Sequence, residues 1–462
     1  MSDAPPRLLR ALGARDAASL TIGAMVGTGI FLTAGDVTRA VGTPGATLAV
    51  WVAGGLLTLA GALTYGELGT MYPRAGGLYN FLRAAYGPLW GFLYGWTCLL
   101  VIMSGGLAAI AVGFGEYLGA FVPAFDGGAV WWTIGPWRVH GPQVAGALAI
   151  LLLTALNHVG VRAAASAQNA FTALKVLAIV LLGAGALIMA AHPGAALGAA
   201  GARAALRPLA LPAFLTAMIA TLWTYDGWYA VTLSAGELRQ PGRDLPRGLV
   251  LGVLAVMALY LTLNVVYLRA LTLEQISRTS RVAEAAARAL MGAGGAHAIA
   301  ALVALSAFGC LAASVLYTSR LYQPMAEDGV FFRALARVDP RFRTPVNSLW
   351  LQSAVAMALT LTGGYTQLFT YVTFAGVVFH VLAGAAVFVL RRTQPAAVRP
   401  YRTLGYPLVP LLFVAGMLLL TVNTLIAAPR ESLLGLLVIA AGLPVYWNWS
   451  RRSRATEAIV AP

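Results

Sequence analysis

Charge is what this sequence has least of. Only 10% of its 462 residues are Asp, Glu, Lys or Arg, where a soluble globular chain carries about 25%. A water-soluble protein of this length could not cover its surface with so few charges, because its exterior would be one continuous apolar patch. Lysine is almost missing: of 31 basic residues 30 are Arg, and Lys175 stands alone. Cysteine is scarce as well. Cys98 and Cys310 both lie inside apolar runs, give no redox compartment and form no metal-ligand spacing. There is no Ser/His/Asp constellation, metal cluster or phosphate loop, and no polar stretch long enough for a soluble domain. No enzyme activity, cofactor or metal is expected.

What is present in excess is apolar. Hydrophobic residues make up 59% of the chain, against about 45–50% in a globular protein, and mean hydropathy is +0.78. The composition is that of an all-α polytopic membrane protein. A span needs about 20 apolar residues, and cutting at charge, proline and glycine clusters gives about 12 transmembrane helices. They are expected near 17–39, 45–70, 88–119, 142–160, 167–191, 212–236, 247–271, 296–322, 346–362, 366–390, 406–425 and 432–449. The first run is polar-flanked and followed by no cleavage pattern, so it reads as a retained span and not as a signal peptide.

The net charge of +15 does not describe a nucleic-acid face, since no loop interleaves basic with aromatic residues. It reports orientation. With the N-terminus inside, 21 of the 30 Arg fall in cytoplasmic loops and 9 outside, as the positive-inside bias requires. Both termini, 1–16 and 450–462, are then cytoplasmic segments of a multi-pass protein of the cell (plasma or inner) membrane. The partners expected are membrane lipid and a small molecule, without nucleic acid.

Two spans are interrupted. The first carries Gly23-Ala24-Met25-Val26-Gly27-Thr28-Gly29-Ile30-Phe31, and the sixth carries Trp223-Thr224-Tyr225-Asp226-Gly227-Trp228. A glycine costs about 1 kcal/mol inside a helix, and an intramembrane carboxylate costs more. Spans one and six correspond if the first ten form two inverted halves of five, and paired glycine-broken helices mark a transporter binding site. Close helix packing through small residues is the plainer reading of each Gly-x-Gly alone; two breaks in register, one with an Asp, favour the site. A break frees N–H groups that suit a carboxylate and C=O groups that suit an ammonium. A free α-amino acid carries both charges.

These residues resemble the amino acid–polyamine–organocation superfamily, in its L-type amino acid transporter branch, over about residues 15–450. Gly23 to Phe31 is similar to the branch's Gly-x-x-Val-Gly-Ser-Gly-Ile-Phe, with Thr28 for Ser. Tyr65-Gly66-Glu67-Leu68-Gly69 followed by Pro73 to Tyr79, the segment Glu237-Leu238-Arg239-Gln240-Pro241 with Arg243-Asp244-Leu245-Pro246, and Ser314 to Arg320 resemble three further motifs in order. The resemblance implies a five-plus-five inverted-repeat (LeuT-like) core at 17–390, with repeats at about 17–191 and 212–390. Two added helices follow at 391–449. It also implies a sodium-independent amino acid transporter working by exchange, with neutral substrates favoured. By position, Thr28 and Gly29, beside Gly27, would hold the substrate carboxylate. Carbonyls near Ala24 and Met25 and around Trp223 and Gly227 would take the amine, and Trp223 would lid the site.

Lys175 is implied to replace a bound sodium ion by bridging Gly23 of span one to Ser314 of span eight. Its place roughly 12 Å into the span strains a snorkelling alternative; whether it is a fixed cation or a proton carrier stays open, and the second would make a proton-coupled symporter. Asp226 either pairs with a cationic substrate or caps the second half-helix. Tyr229 and Ala312 stand where the family commonly has Asn. Glu67 and Glu237 are expected as solvated ion pairs or gate contacts, Glu116 as interfacial, and His380 as a satisfied core histidine. Residues 119–141 hold no Cys, so no disulfide-linked heavy chain is expected.

Overall fold

A computed structural model describes residues 12–74, 76–159, 183, 210–319, 321–337, 339 and 345–460. Apart from residue 183, span 167–191, and with it Lys175, lies outside the described residues. Within them the chain is helical almost throughout. In order the helices are α1 (Ala14–Met25), α2 (Gly29–Leu32), α3 (Ala34–Val41), α4 (Pro44–Met71), α5 (Leu78–Tyr86), α6 (Pro88–Thr97), α7 (Met103–Leu118) and α8 (Gly141–Val159). There follow α9 (Leu211–Tyr225), α10 (Pro241–Ala270), α11 (Leu273–Arg278), α12 (Val282–Ser319), α13 (Tyr322–Glu327), α14 (Val346–Thr362), α15 (Tyr365–Thr393), α16 (Leu408–Ala427) and α17 (Pro429–Val460). A π-helical turn, Cys98–Ile102, joins α6 to α7.

Proline sets many of the starts. Pro44, Pro88, Pro241 and Pro429 each open a helix, where the missing N–H would have had no partner and φ is already helical. At α4 the Thr43 hydroxyl completes the start by accepting from the Ala46 N–H at 3.2 Å.

Among the described residues eight helices are long and apolar enough to cross a membrane, or nine if the pair Ala14–Leu32 and Ala34–Val41, bent by 57°, is one span. Of the other expected spans, 346–362 is a 17-residue helix, and 212–236 is a helix that stops at Tyr225 and resumes as a 3₁₀ turn over Ala230–Glu237. The loop at 119–141 is more ordered than the sequence suggests. It holds a two-stranded antiparallel hairpin, β1 (Val130–Ile134) with β2 (Trp137–His140).

α10 packs along both α1 and α4, α7 lies against α8, α12 and α14, and α9 sits between α3, α4 and α15. At the arginine-rich end Glu67 departs from the solvated ion pair expected of it. It is 1% exposed and accepts from Arg391 through Nε at 2.9 Å and a terminal nitrogen at 2.7 Å, and from the Thr403 N–H at 2.8 Å. The end of α4 is thereby latched to the end of α15 and to the segment before α16. Such a carboxylate is kept charged only by full pairing.

Candidate functional site

Both interruptions are real breaks in the backbone. α1 ends at Met25, Val26 leaves the helical region (φ −76°, ψ 81°), and helix resumes at Gly29. α9 ends at Tyr225, Asp226 is extended (φ −59°, ψ 159°), and Gly227 is left-handed with φ +88°.

The two breaks touch. A Cβ on Gly227 would lie 2.7 Å from the Ala24 carbonyl oxygen, and one on Gly29 would lie 2.9 Å from the Thr224 backbone. Only glycine permits this approach of backbone to backbone, and at Gly227 it also supplies the positive φ. Beside the contact the hydroxyls of Thr33 and Thr224 share a hydrogen bond at 2.7 Å.

Ala24, Met25, Gly27, Thr28, Gly29, Trp223, Asp226, Gly227 and Ser314 all line one cavity. Gly23 lines an adjoining cavity with Ala24 and Ser314. Asp226 is not the helix cap that was one of its two readings. The 3₁₀ turn that follows starts after Tyr229 and has no side-chain cap. The Met25 carbonyl, one of those expected for an amine, already accepts the Gly27 N–H at 2.8 Å and the Tyr260 hydroxyl at 2.7 Å.

Three tyrosines missed in the sequence hold the broken first span. Tyr260 reaches both the Met25 carbonyl and the Thr224 carbonyl, the latter at 3.0 Å. Tyr267 donates to the Ile30 carbonyl at 3.3 Å, and Tyr117 to that of Phe31 at 3.0 Å. A tyrosine in mid-span must find a partner for its hydroxyl, and that signal was available: Tyr260 and Tyr267 lie seven apart on one face of α10.

Tyr365, the first residue of α15, was also missed. Its hydroxyl accepts from the Trp223 indole N–H at 2.8 Å and lies 3.5 Å from the Thr28 hydroxyl. Trp223 stacks on Phe369, with centroids 6.2 Å apart and planes at 15°. Trp223 lines the cavity, and its partner Tyr365 lines a second, polar hollow with Asp36, Arg39 and Glu116. Glu116 accordingly faces this hollow, where it accepts from Ser280 at 3.3 Å. His380 is a satisfied core residue, with the Tyr65 hydroxyl 2.8 Å from its Nδ1. The π-helical turn places Ile102 on the cavity wall, one of the usual sites for such a bulge.

Comparison with known proteins gives the same direction as the geometry. The family model described as amino acid permease matches residues 12–447. The chain is similar to the serine/threonine exchanger SteT of Bacillus subtilis (strain 168), 31% identical with 96% of this chain and 98% of that one aligned. It is also similar to the human b(0,+)-type amino acid transporter 1, 29% identical over 95% and 88% of the two chains. A third relative is the human large neutral amino acids transporter small subunit 2, 30% identical over 95% and 80%.

Proposed function

Because the chain belongs to the amino acid permease family, we propose that it is a sodium-independent amino acid exchanger of the cell membrane, working by alternating access with its broken helices as the binding site. The observation that carries the reading is the contact of the two breaks, Gly227 on Ala24 and Gly29 on Thr224, at the wall of one cavity. A zwitterion bound there meets N–H groups at Thr28 and Gly29 for its carboxylate and carbonyls of Ala24 and of the turn after Trp223 for its ammonium. Met25 serves instead as the anchor of Tyr260. Trp223, held by Tyr365 and Phe369, closes the cavity on one side.

The reading carries its domain organisation with it: a transport core over 17–390 built of two inverted halves, then two added helices. The arginine-rich ends of the spans face the cytoplasm, so the ring closure lies on the outer side. Lys175, outside the described residues, takes the place of a coupling sodium ion in this reading, with carbonyls near Gly23 and Ser314 as its expected partners. Neutral amino acids are the substrate class, in keeping with the serine/threonine exchanger and the large-neutral relative. Asp226 at the cavity wall favours a second reading, cationic substrates. Cys98 and Cys310 are both buried, which supports work without a disulfide-linked heavy chain. No covalent chemistry is involved.

Proteoliposome uptake tests the proposal. Labelled serine or threonine should enter only when the lumen holds unlabelled amino acid, and excess arginine should compete weakly. Uptake into empty vesicles that follows an imposed pH gradient would replace exchange by proton symport, and strong competition by arginine would favour the Asp226 reading. Lys175→Ala should abolish most exchange at unchanged membrane abundance; unaltered uptake would remove Lys175 from the mechanism.

A further inference from the structure

The β1–β2 hairpin carries an exposed apolar surface that the transport cycle does not use. Trp131 is 42% exposed, Trp132 53%, Ile134 64% and Trp137 39%, crowded within one short hairpin. Its indoles are placed in a particular way. Trp131 donates its N–H to the Ala124 carbonyl at 2.6 Å and lies flat on Phe125, and Trp137 donates its N–H to the Leu361 carbonyl at 2.9 Å. Their polar atoms are satisfied inside the protein while much of each ring stays outside. A surface built so meets an apolar or interfacial medium and not bulk water.

The helices around the hairpin say which medium. α8 begins directly after β2, and its residues 141–146 are buried on every side. Its exposed stripe begins only at Leu148 and continues through Leu151, Leu152 and Leu156. From Gly141 to Leu148 the helix rises roughly 10 Å, so the hairpin flanks the terminal stretch of the span, above the lipid-facing leucines. On its other side α14 exposes residues 351, 354, 358 and 362, a stripe that runs up to the Leu361 carbonyl where Trp137 docks. The hairpin thus continues the lipid-facing surface of two spans at the height of the headgroup region, a layer of about 5–7 Å beyond each side of the hydrocarbon core. Tryptophan is the residue enriched there, and the exposed Arg138 matches the phosphates of that layer.

We propose that the β1–β2 hairpin is a membrane-interface anchor that inserts Trp132 and Ile134 among the lipid headgroups at the end of the protein opposite its arginine-rich loops. It seats the α7–α8 connection on the bilayer through lipid and not through a partner protein. This proposal is independent of the substrate and of exchange.

Ile134→Cys, labelled with an environment-sensitive fluorophore such as NBD, tests it in phosphatidylcholine/phosphatidylglycerol vesicles. Cys98 and Cys310 are buried and do not compete for the label, and retained amino acid uptake shows that the labelled protein is folded. Arg278→Cys, on α11 at the same end with a side chain 79% exposed, is the aqueous control. Nitroxide on the headgroup or at the fifth acyl carbon should quench the label at 134 more than nitroxide at the twelfth carbon, and iodide should quench it several-fold less than at 278. Iodide quenching equal to the control, strongest quenching from the twelfth carbon, or protection that appears only when a second protein is added would each overturn the anchor.

Discussion

At the scale of single residues the site depends on atoms that are missing as much as on those present. Gly227 has no Cβ and a left-handed φ, and the Ala24 carbonyl fills the place that a methyl would take. Gly227→Ala combines a clash at 2.7 Å with a backbone cost of about 1–2 kcal/mol. Uptake at equal membrane abundance should fall at least roughly tenfold, since each 1.4 kcal/mol is a factor of ten. Wild-type uptake would mean that the two breaks need not touch. Tyr365 is the reverse case, a hydroxyl whose loss strands a donor. Tyr365→Phe leaves the buried Trp223 N–H without its acceptor, a cost of about 1–3 kcal/mol to the closed lid. Exchange from the ring-covered side should slow roughly tenfold, with Thr28→Ala causing the larger rise in KM if Thr28 contacts substrate. Gly23 to Gly29 and Asp226-Gly227 were legible as breaks because a glycine pair or an acid inside a span is costly and needs a reason. Tyr365 was not legible. It stands 337 residues from Thr28 in sequence, and no local pattern marks it.

At the scale of elements the broken first span is held by its neighbours' tyrosines. α10 presents Tyr260 and Tyr267 to the two halves of the span, and α7 presents Tyr117. Tyr260→Phe releases the carbonyls of Met25 and Thr224 together, so both breaks loosen at once. We expect a lower melting temperature in detergent and a larger fractional loss of uptake than Tyr267→Phe produces, because Tyr267 touches one carbonyl only. At the arginine-rich end the Glu67 latch ties α4 to α15. Removing one member of a buried ion pair costs about 3–5 kcal/mol, so Glu67→Gln should lower the melting temperature more than either tyrosine change. An unchanged melting temperature would demote the latch to a surface contact. The helix starts at Pro44, Pro88 and Pro241 followed from local chemistry. The π-helical turn at Cys98 did not. It depends on which backbone groups another helix can satisfy. Over residues 119–141 the sequence suggests only a connection between spans, and the hairpin there depends on its docking against the ends of α8 and α14.

At the scale of the whole molecule the protein is a multi-pass amino acid permease whose cavity lies where its broken helices meet. A ligand that binds only the folded state raises its apparent stability, by about 2.7 kcal/mol at a hundred times Kd. A thermal-shift series over the twenty amino acids should therefore show a small set of stabilising substrates, and the shift should vanish in Gly227→Ala; a uniform response would argue against a specific cavity. The sequence alone determined the solvent, the polytopic helical class and the two breaks. It could do so because each follows from transfer energies and helix propensities that act on neighbouring residues. Only the tertiary structure decided that Gly227 sits on Ala24, that Tyr365 joins Trp223 and Thr28, and that Glu67 is buried against Arg391. Those are meetings of groups far apart in the chain. Inside a bilayer they are selected by packing and by the need to satisfy every polar group, and neither condition is written in any one segment.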